Sequence, residues 1–172
     1  MKRHSLSILL LVLSLSAYAG QINPAQVTIS LTTRVPEYLV HGFLTGGEES
    51  PTIMATADVE DAFNPDGAKL TYAIQTNVSI PLEVTATVSP FTRKLPIEGG
   101  QVGIDSVLVN DTAAEVLNQG NGTYKLLYFT PPNSGMGLYS YTLTVKANQD
   151  EVSNASSGYY ESTVSIGIAP VN

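Results

Sequence analysis

Acid–base chemistry needs a titratable pair, and this sequence offers few. Of its two histidines, His4 falls in the basic start of a leader segment, so His41 stands alone in the rest of the chain. Neither a Ser-His-Asp triad nor a two-histidine metal site can be assembled within one chain. There is no cysteine, which removes thiolate nucleophiles, thiolate zinc sites and disulfides. His41 therefore reads as an ordinary strand residue. Fifteen acidic residues always permit some carboxylate pair for glycoside hydrolysis, an argument without specificity. The run Asp58-Val59-Glu60-Asp61-Ala62-Phe63-Asn64-Pro65-Asp66-Gly67 has oxygen ligands for calcium but lacks the alternating spacing and closing Glu of an EF-hand loop. It reads as a solvated connection ending in an Asn-Pro-Asp-Gly turn. No catalytic residue, metal ligand or cofactor is expected, and the chain does not read as an enzyme.

Tyrosines could stack on sugars. Tyr139 and Tyr141, however, alternate on one strand face with Leu143 and Val145, which predicts core or rim packing. Tyr159 and Tyr160 are adjacent and should point to opposite faces of a strand. The sequons at Asn77, Asn110, Asn121 and Asn154 read as chance in a Thr/Ser-rich β protein.

The elements that would position these residues are almost all strands. Short runs of Val, Ile, Thr and Tyr are broken by Gly, Pro, Asn and Asp every ten residues or so, the pattern of an antiparallel sandwich. Alternation places strands at 35–44, 53–57, 69–78, 80–89, 102–109, 123–130 and 138–147, with Pro81 marking a strand start or edge. Loops are expected at 46–51, 64–67, 99–100, 120–122, 131–135 and 148–158. Asp111 to Leu117, with a Thr112/Glu115 spacing, predicts one helical turn.

The beginning of the sequence has a basic start, Met1-Lys2-Arg3-His4, then an apolar run from Leu6 to Leu15 and the small-x-small triplet Ala17-Tyr18-Ala19. It predicts a signal peptide over residues 1–19 and an exported mature chain. The apolar run is too short for a membrane span. Taking Lys2 and Arg3 from the eight basic residues leaves six against fifteen acids, a mature formal charge of −9. That excludes nucleic acid and an electrostatically bound anionic membrane as partners.

Both ends of the mature chain alternate. Val27, Ile29 and Leu31 share one face of the segment Gln26–Thr33, and Val164, Ile166 and Ile168 share one face of the segment Thr163–Ile168. From Leu31 to Val40 there is no Gly, Asn or Asp to make a tight turn, and Pro36 pushes Val35 towards an extended conformation. Taken as one stretch, Gln26 to Val40 would span on the order of 45–50 Å. A projecting strand with one apolar face needs an acceptor groove, and an identical neighbour is the simplest supplier.

These pieces resemble a subunit of chaperone–usher fimbriae, most closely the cysteine-free major subunits of the colonisation-factor group from Gram-negative enteric bacteria. The matching residues are Val27-Thr28-Ile29-Ser30-Leu31-Thr32, Val35-Pro36-Glu37-Tyr38-Leu39-Val40, Tyr72-Ala73-Ile74-Gln75-Thr76-Asn77 and the closing run Ser157 to Ile166, which has the Gly-x-Tyr-x-x-x-Val-x-Ile pattern of many pilins. The resemblance implies an incomplete immunoglobulin-like β-sandwich over residues 35–172, completed by donor-strand complementation from residues 20–34 of another subunit. It implies donor residues Val27, Ile29, Leu31 and Thr33 and an acceptor groove lined by Val164, Ile166 and Ile168. Thr33 stands where the family pattern has an apolar last knob. The implied partners are identical or homologous pilin subunits, a periplasmic chaperone, an outer-membrane usher and a host receptor. The implied location is the cell surface, reached through the periplasm, where the filament supports adhesion. Burying three aliphatic knobs would contribute roughly 5–9 kcal/mol, as an upper bound. The same residues also admit a self-contained secreted β-sandwich that binds glycans, with its N-terminal segment folded back as a hairpin.

Overall fold

The computed structural model describes residues 30, 32–45, 51–132 and 135–171. The chain divides into two units, Met1–Val35 and Pro36–Asn172, and nearly all of the first lies outside the described residues. The donor positions Val27, Ile29 and Leu31 lie there; Thr33 is described and sits exposed in irregular chain. Every described strand belongs to the second unit, which is all-β apart from one short helix.

One sheet has six antiparallel strands. Its members are β1 (Leu39–Thr45), β2 (Thr52–Met54), β3 (Ala68–Thr76), β7 (Ile104–Val109), β8 (Thr112–Ala113) and β11 (Gly137–Ala147), in the order β2-β1-β3-β11-β7-β8. A second has four, in the order β13-β4-β10-β9, made of β4 (Leu82–Val88), β9 (Glu115–Asn118), β10 (Thr123–Phe129) and β13 (Val164–Pro170). The core lies between them. The six-stranded sheet supplies Tyr72, Ile74, Val107, Leu143 and Val145, and the four-stranded sheet supplies Val84, Ala86, Val88 and Leu126. The period-2 alternation of the sequence thus becomes two inner faces pressed together, with polar residues outward.

A smaller sheet, β12-β5-β6, is built from β5 (Phe91–Leu95), β6 (Gln101–Val102) and β12 (Tyr159–Glu161). It covers a second apolar cluster of Phe91, Val102 and Ala147. Phe63 locks this cluster, with ring centroids 5.1 Å from Phe91 and 5.3 Å from Tyr160. Tyr159 is exposed and Tyr160 half-buried, the opposite-face arrangement that adjacency predicts. Tyr139 and Tyr141 are half-buried rim residues that pack against Phe129.

Several expectations are corrected, each for a local reason. Strand β1 starts at Leu39 rather than Val35 because the preceding backbone is taken up by Asn77: its Oδ1 accepts from Tyr38 N at 2.6 Å and its Nδ2 donates to Pro36 O at 2.9 Å. The expected strand 102–109 is split at Gly103, whose N–H donates to Glu151 Oε2 and whose carbonyl accepts from Asn148 N. Asp111 to Leu117 is not helical. Asn110 and Asp111 both have positive φ, 49° and 63°, and join β7 to β8 as a two-residue hairpin turn; mirror-image turns of this kind match the strand twist. The expected loop at 148–158 contains a helix, α1 (Gln149–Asn154), capped by Asn148 Oδ1 accepting from Asp150 N and Glu151 N. Strands β5 and β12 are also additions to the sequence reading. The Asn64-Pro65-Asp66-Gly67 turn forms as expected, with Gly67 N donating to Asn64 O at 2.8 Å.

Strand β11 is central and buried on both faces at Leu143 and Thr144. Thr144 Oγ1 has no hydrogen-bond partner among the described residues. Leu143→Ala should cost roughly 2–5 kcal/mol. Thr144→Val, which removes an unsatisfied buried hydroxyl, should instead gain about 1 kcal/mol. Urea unfolding of the two variants should move the midpoint in opposite directions; a loss in both would contradict the burial of an unpaired Oγ1.

Candidate functional site

The site is an edge of a sheet. Strand β13 pairs with β4 in unbroken antiparallel register from Val164↔Val88 to Pro170↔Leu82, and has no strand on its other side among the described residues. Val164, Ile166 and Ile168 lie opposite Val88, Ala86 and Val84, all buried, so the three aliphatics face inward. They are half-buried and pack against the main core. The structure therefore places the three sequence-predicted acceptor residues on one face of one edge strand. It does not place Val27, Ile29 and Leu31, which lie outside the described residues, and Thr33 belongs to no strand.

The edges of these sheets are not alike. β2 has three residues, β8 has two, and β9 has four and carries Glu115. β13 has seven, Val-Ser-Ile-Gly-Ile-Ala-Pro, with no charge in the run. Short length and charge are the ordinary protections of an edge against strand addition. β13 has neither, and its one blunting residue is Pro170 at the far end.

The two seams of the sandwich also differ. At one, the chain itself crosses between the sheets: β8 pairs with β7 in one sheet, β9 pairs with β10 in the other, and Ala114 between them donates its N–H to Val107 O at 2.8 Å. At the other seam, the six-stranded sheet ends in β1 and β2 and the four-stranded sheet ends in β13. No connection of this kind closes that side among the described residues.

Strand β1 registers the consequence. Leu39, His41 and Phe43 pair directly with Thr76, Ile74 and Tyr72, so they share the inward face. Ile74 is 0% exposed, whereas Leu39, on the same face one strand outward, is 37% exposed. His41 and Phe43 are half-buried. The inner face is thus less covered at β1, beside the three-residue edge strand β2, than at β3. Sequence reasoning did not assign Leu39, His41 and Phe43 to the site; the signal available was their alternation on a strand that had to pair with the apolar segment 70–76.

His41 is the one titratable group of note here. Its Nδ1 lies 3.0 Å from Tyr72 Oη, and the rings meet edge-on at 6.0 Å. Desolvation by burial lowers the His41 pKa from its ordinary 6.5, and burial, with Tyr141 beside it, pushes the Tyr72 hydroxyl well above its usual range. Tyr72 therefore stays protonated beside a neutral imidazole at pH 7, and the imidazole tautomer decides which of the two donates. This pair has no nucleophile or carboxylate partner, and no cluster of three metal-ligating side chains occurs among the described residues. Two shallow depressions are present. One, of about 280 Å³, is lined by Tyr38, Val40, Leu44 and Leu138; the other, of about 380 Å³, by Asp105, Lys146 and Asp150. His41 lines neither.

A scan against protein-family models finds no matching family, and a search of the curated proteins finds no match.

A lowered histidine pKa in the folded state sets a sign. Below 6.5 the unfolded chain takes up a proton that the folded chain resists, so stability falls as pH drops through that value and levels off below the folded pKa. Urea midpoints measured from pH 7.5 to 5 should therefore decline more steeply for the natural chain than for His41→Gln. Parallel curves would show that His41 titrates freely.

Proposed function

We propose that this chain is a structural fimbrial subunit that polymerises by donor-strand exchange into a surface filament supporting adhesion. The observation that carries the reading is the edge of β13: seven uncharged residues, unpaired on one side among the described residues, with Val164, Ile166 and Ile168 turned into the core.

The order of the strands supports it. An immunoglobulin-like sandwich arranges its strands A-B-E-D in one sheet and C-F-G in the other. In chain order, β1, β3, β4, β7, β11 and β13 take the places A, B, C, D, E and F: β1-β3-β11-β7 reads A-B-E-D, and β4 beside β13 reads C-F. The place without an occupant among the described residues is G, next to β13, at the seam where Leu39 of β1 is partly exposed. A strand inserted there would pair with β13, cover Leu39, His41 and Phe43, and complete the second layer. Residues 20–34 supply a strand of the right pattern from another subunit, with Val27, Ile29 and Leu31 as its apolar face.

An unpaired edge that is long and apolar is an aggregation template. That hazard supports a periplasmic chaperone holding the groove until an outer-membrane usher delivers the next subunit. Export through the signal peptide 1–19 belongs to the same reading, as does attachment to a host receptor by the assembled filament.

The test moves the donor. Residues 21–34 are deleted from the N-terminus and appended to the C-terminus through a short flexible linker, so that the chain fills its own groove. The product should be a stable monomer, and its Tm should rise by about 10 °C or more, the shift expected for several kcal/mol of added burial in a domain of this size. Ile166→Asp in the fused chain should erase the gain. An unchanged Tm, with the mature chain alone already a soluble monomer, would favour the self-contained glycan-binding sandwich instead.

A further inference from the structure

Beyond the donor strand itself, the structure offers a second place where consecutive subunits can meet. It is an apolar tip formed by the small sheet. Leu95 and Tyr159 are register partners across β5 and β12, and Ile97 comes two residues later in the hairpin leading to β6. All three are unusually open, with exposures of 62% for Leu95, 58% for Tyr159 and 69% for Ile97. The hairpin is held shut: Arg93 N donates to Gly100 O at 3.1 Å, Gly99 N to Arg93 O at 3.2 Å, and Arg93 Nε to Gly99 O at 3.0 Å. Gly99 and Gly100 have φ of 113° and 79°, which the tight return requires. Its base is fixed by Tyr160 against Phe63. The tip is a supported apolar projection on an acidic protein, and nothing in its own subunit's fold uses it.

We propose that the root of the incoming subunit's N-terminal extension, Val35 to Tyr38, docks on this tip of the acceptor subunit. The inference rests on the donor-strand reading and adds a register to it. A strand completing the sheet beside β13 runs antiparallel to it, as β4 does on the other side. With Leu31 set opposite Ile166, Ile29 falls opposite Ile168, Thr33 opposite Val164 and Val27 opposite Pro170, so every donor position faces an inward acceptor position. Chain continuity then fixes the path of the root. Arg34 passes Thr163, Val35 passes Ser162, Pro36 passes Glu161 and Tyr38 reaches Tyr159, because five residues of extended chain span only about 17 Å.

The surfaces match. Val35 is 77% exposed in its own subunit, and Tyr38 is also exposed; Tyr38, set opposite Tyr159, would cover apolar area on it and on its neighbour Leu95, with Val35 leading the chain towards the tip. Arg34, immediately after the donor strand and opposite Thr163, has Glu161, an exposed carboxylate at the end of β12, as its diagonal neighbour within reach of a long side chain. Thr33, a weak apolar knob, is then explained as the position where the donor leaves the groove and Arg34 and Val35 set the register. One continuous contact runs from the groove to the tip.

The chain has no native cysteine, so engineered pairs report cleanly. Filaments are assembled from Tyr38→Cys/Tyr159→Cys subunits, which join the two positions the register sets opposite each other, oxidised and separated without reductant. A ladder of covalent multimers with loss of the monomer band is expected, while Tyr38→Cys/Val116→Cys, with its second thiol on the distant edge strand β9, should stay monomeric on the same gel. A charge swap gives a second readout: Arg34→Glu and Glu161→Lys should each lower the heat or denaturant resistance of the filament, and the double variant should restore it. Filaments that form normally but give no ladder, or a ladder equally strong through Val116, would overturn the docking while leaving donor exchange standing. Failure of the unmutated chain to polymerise at all would overturn both.

Discussion

The structure turns on the edge strand β13, which has no strand on its outer side among the described residues. Strand β13 contributes three aliphatic side chains to the core and half of a hydrogen-bond ladder to β4, and presents the other half outward. Backbone amides and carbonyls of a strand need partners, and an apolar face beside them needs cover. Sandwich proteins ordinarily solve both problems with a seventh strand. Here no strand lies on the outer side of β13 among the described residues, and Leu39 is partly exposed, two strands from a core residue as deeply buried as Leu143 on the same sheet.

The closed seam makes the contrast physical. The hairpin at Asn110-Asp111 and the crossing at Ala114 tie the two sheets together covalently within a few residues. Lys125 adds a surface ion pair to Glu115 at 3.0 Å and lies 3.6 Å from Glu83, stitching β9, β10 and β4 on the outside, although exposed pairs of this kind contribute little. Such devices give one side of the sandwich its own closure. On the other side no such device occurs among the described residues, and the long uncharged run of β13 lacks the features that repel a strand.

Much of the architecture was legible. Alternation located β3, β4, β7, β10, β11 and β13 to within a few residues, because strands buried on one face must repeat every two residues. It also put Val164, Ile166 and Ile168 on a common face. Alternation could not report which strands end a sheet, so the openness of the seam and the role of Leu39, His41 and Phe43 became visible only with the strand order. The hairpin at Asn110-Asp111 was misread because Thr112 and Glu115 have helix-capping spacing; the stronger signal was two adjacent residues tolerant of positive φ between apolar runs. The short helix after Asn148 was missed for the opposite reason. It has no apolar stripe, and only its cap and the acidic first turn announce it. Strands β5 and β12 hid behind a basic pair and a glycine, and with them the apolar tip.

A filament built this way would join each subunit to the next by a strand's length of ladder and by burial of the donor's apolar face, so its durability would be a matter of how slowly a whole strand can be withdrawn. Hydrogen exchange over the segment Glu161–Ile168 tests this most directly. In the isolated mature subunit the amides on the free edge of β13 should exchange quickly, and in the assembled filament the same segment should slow by orders of magnitude. Equal and strong protection in the lone subunit would mean that the edge is already filled from within, and the account would be wrong.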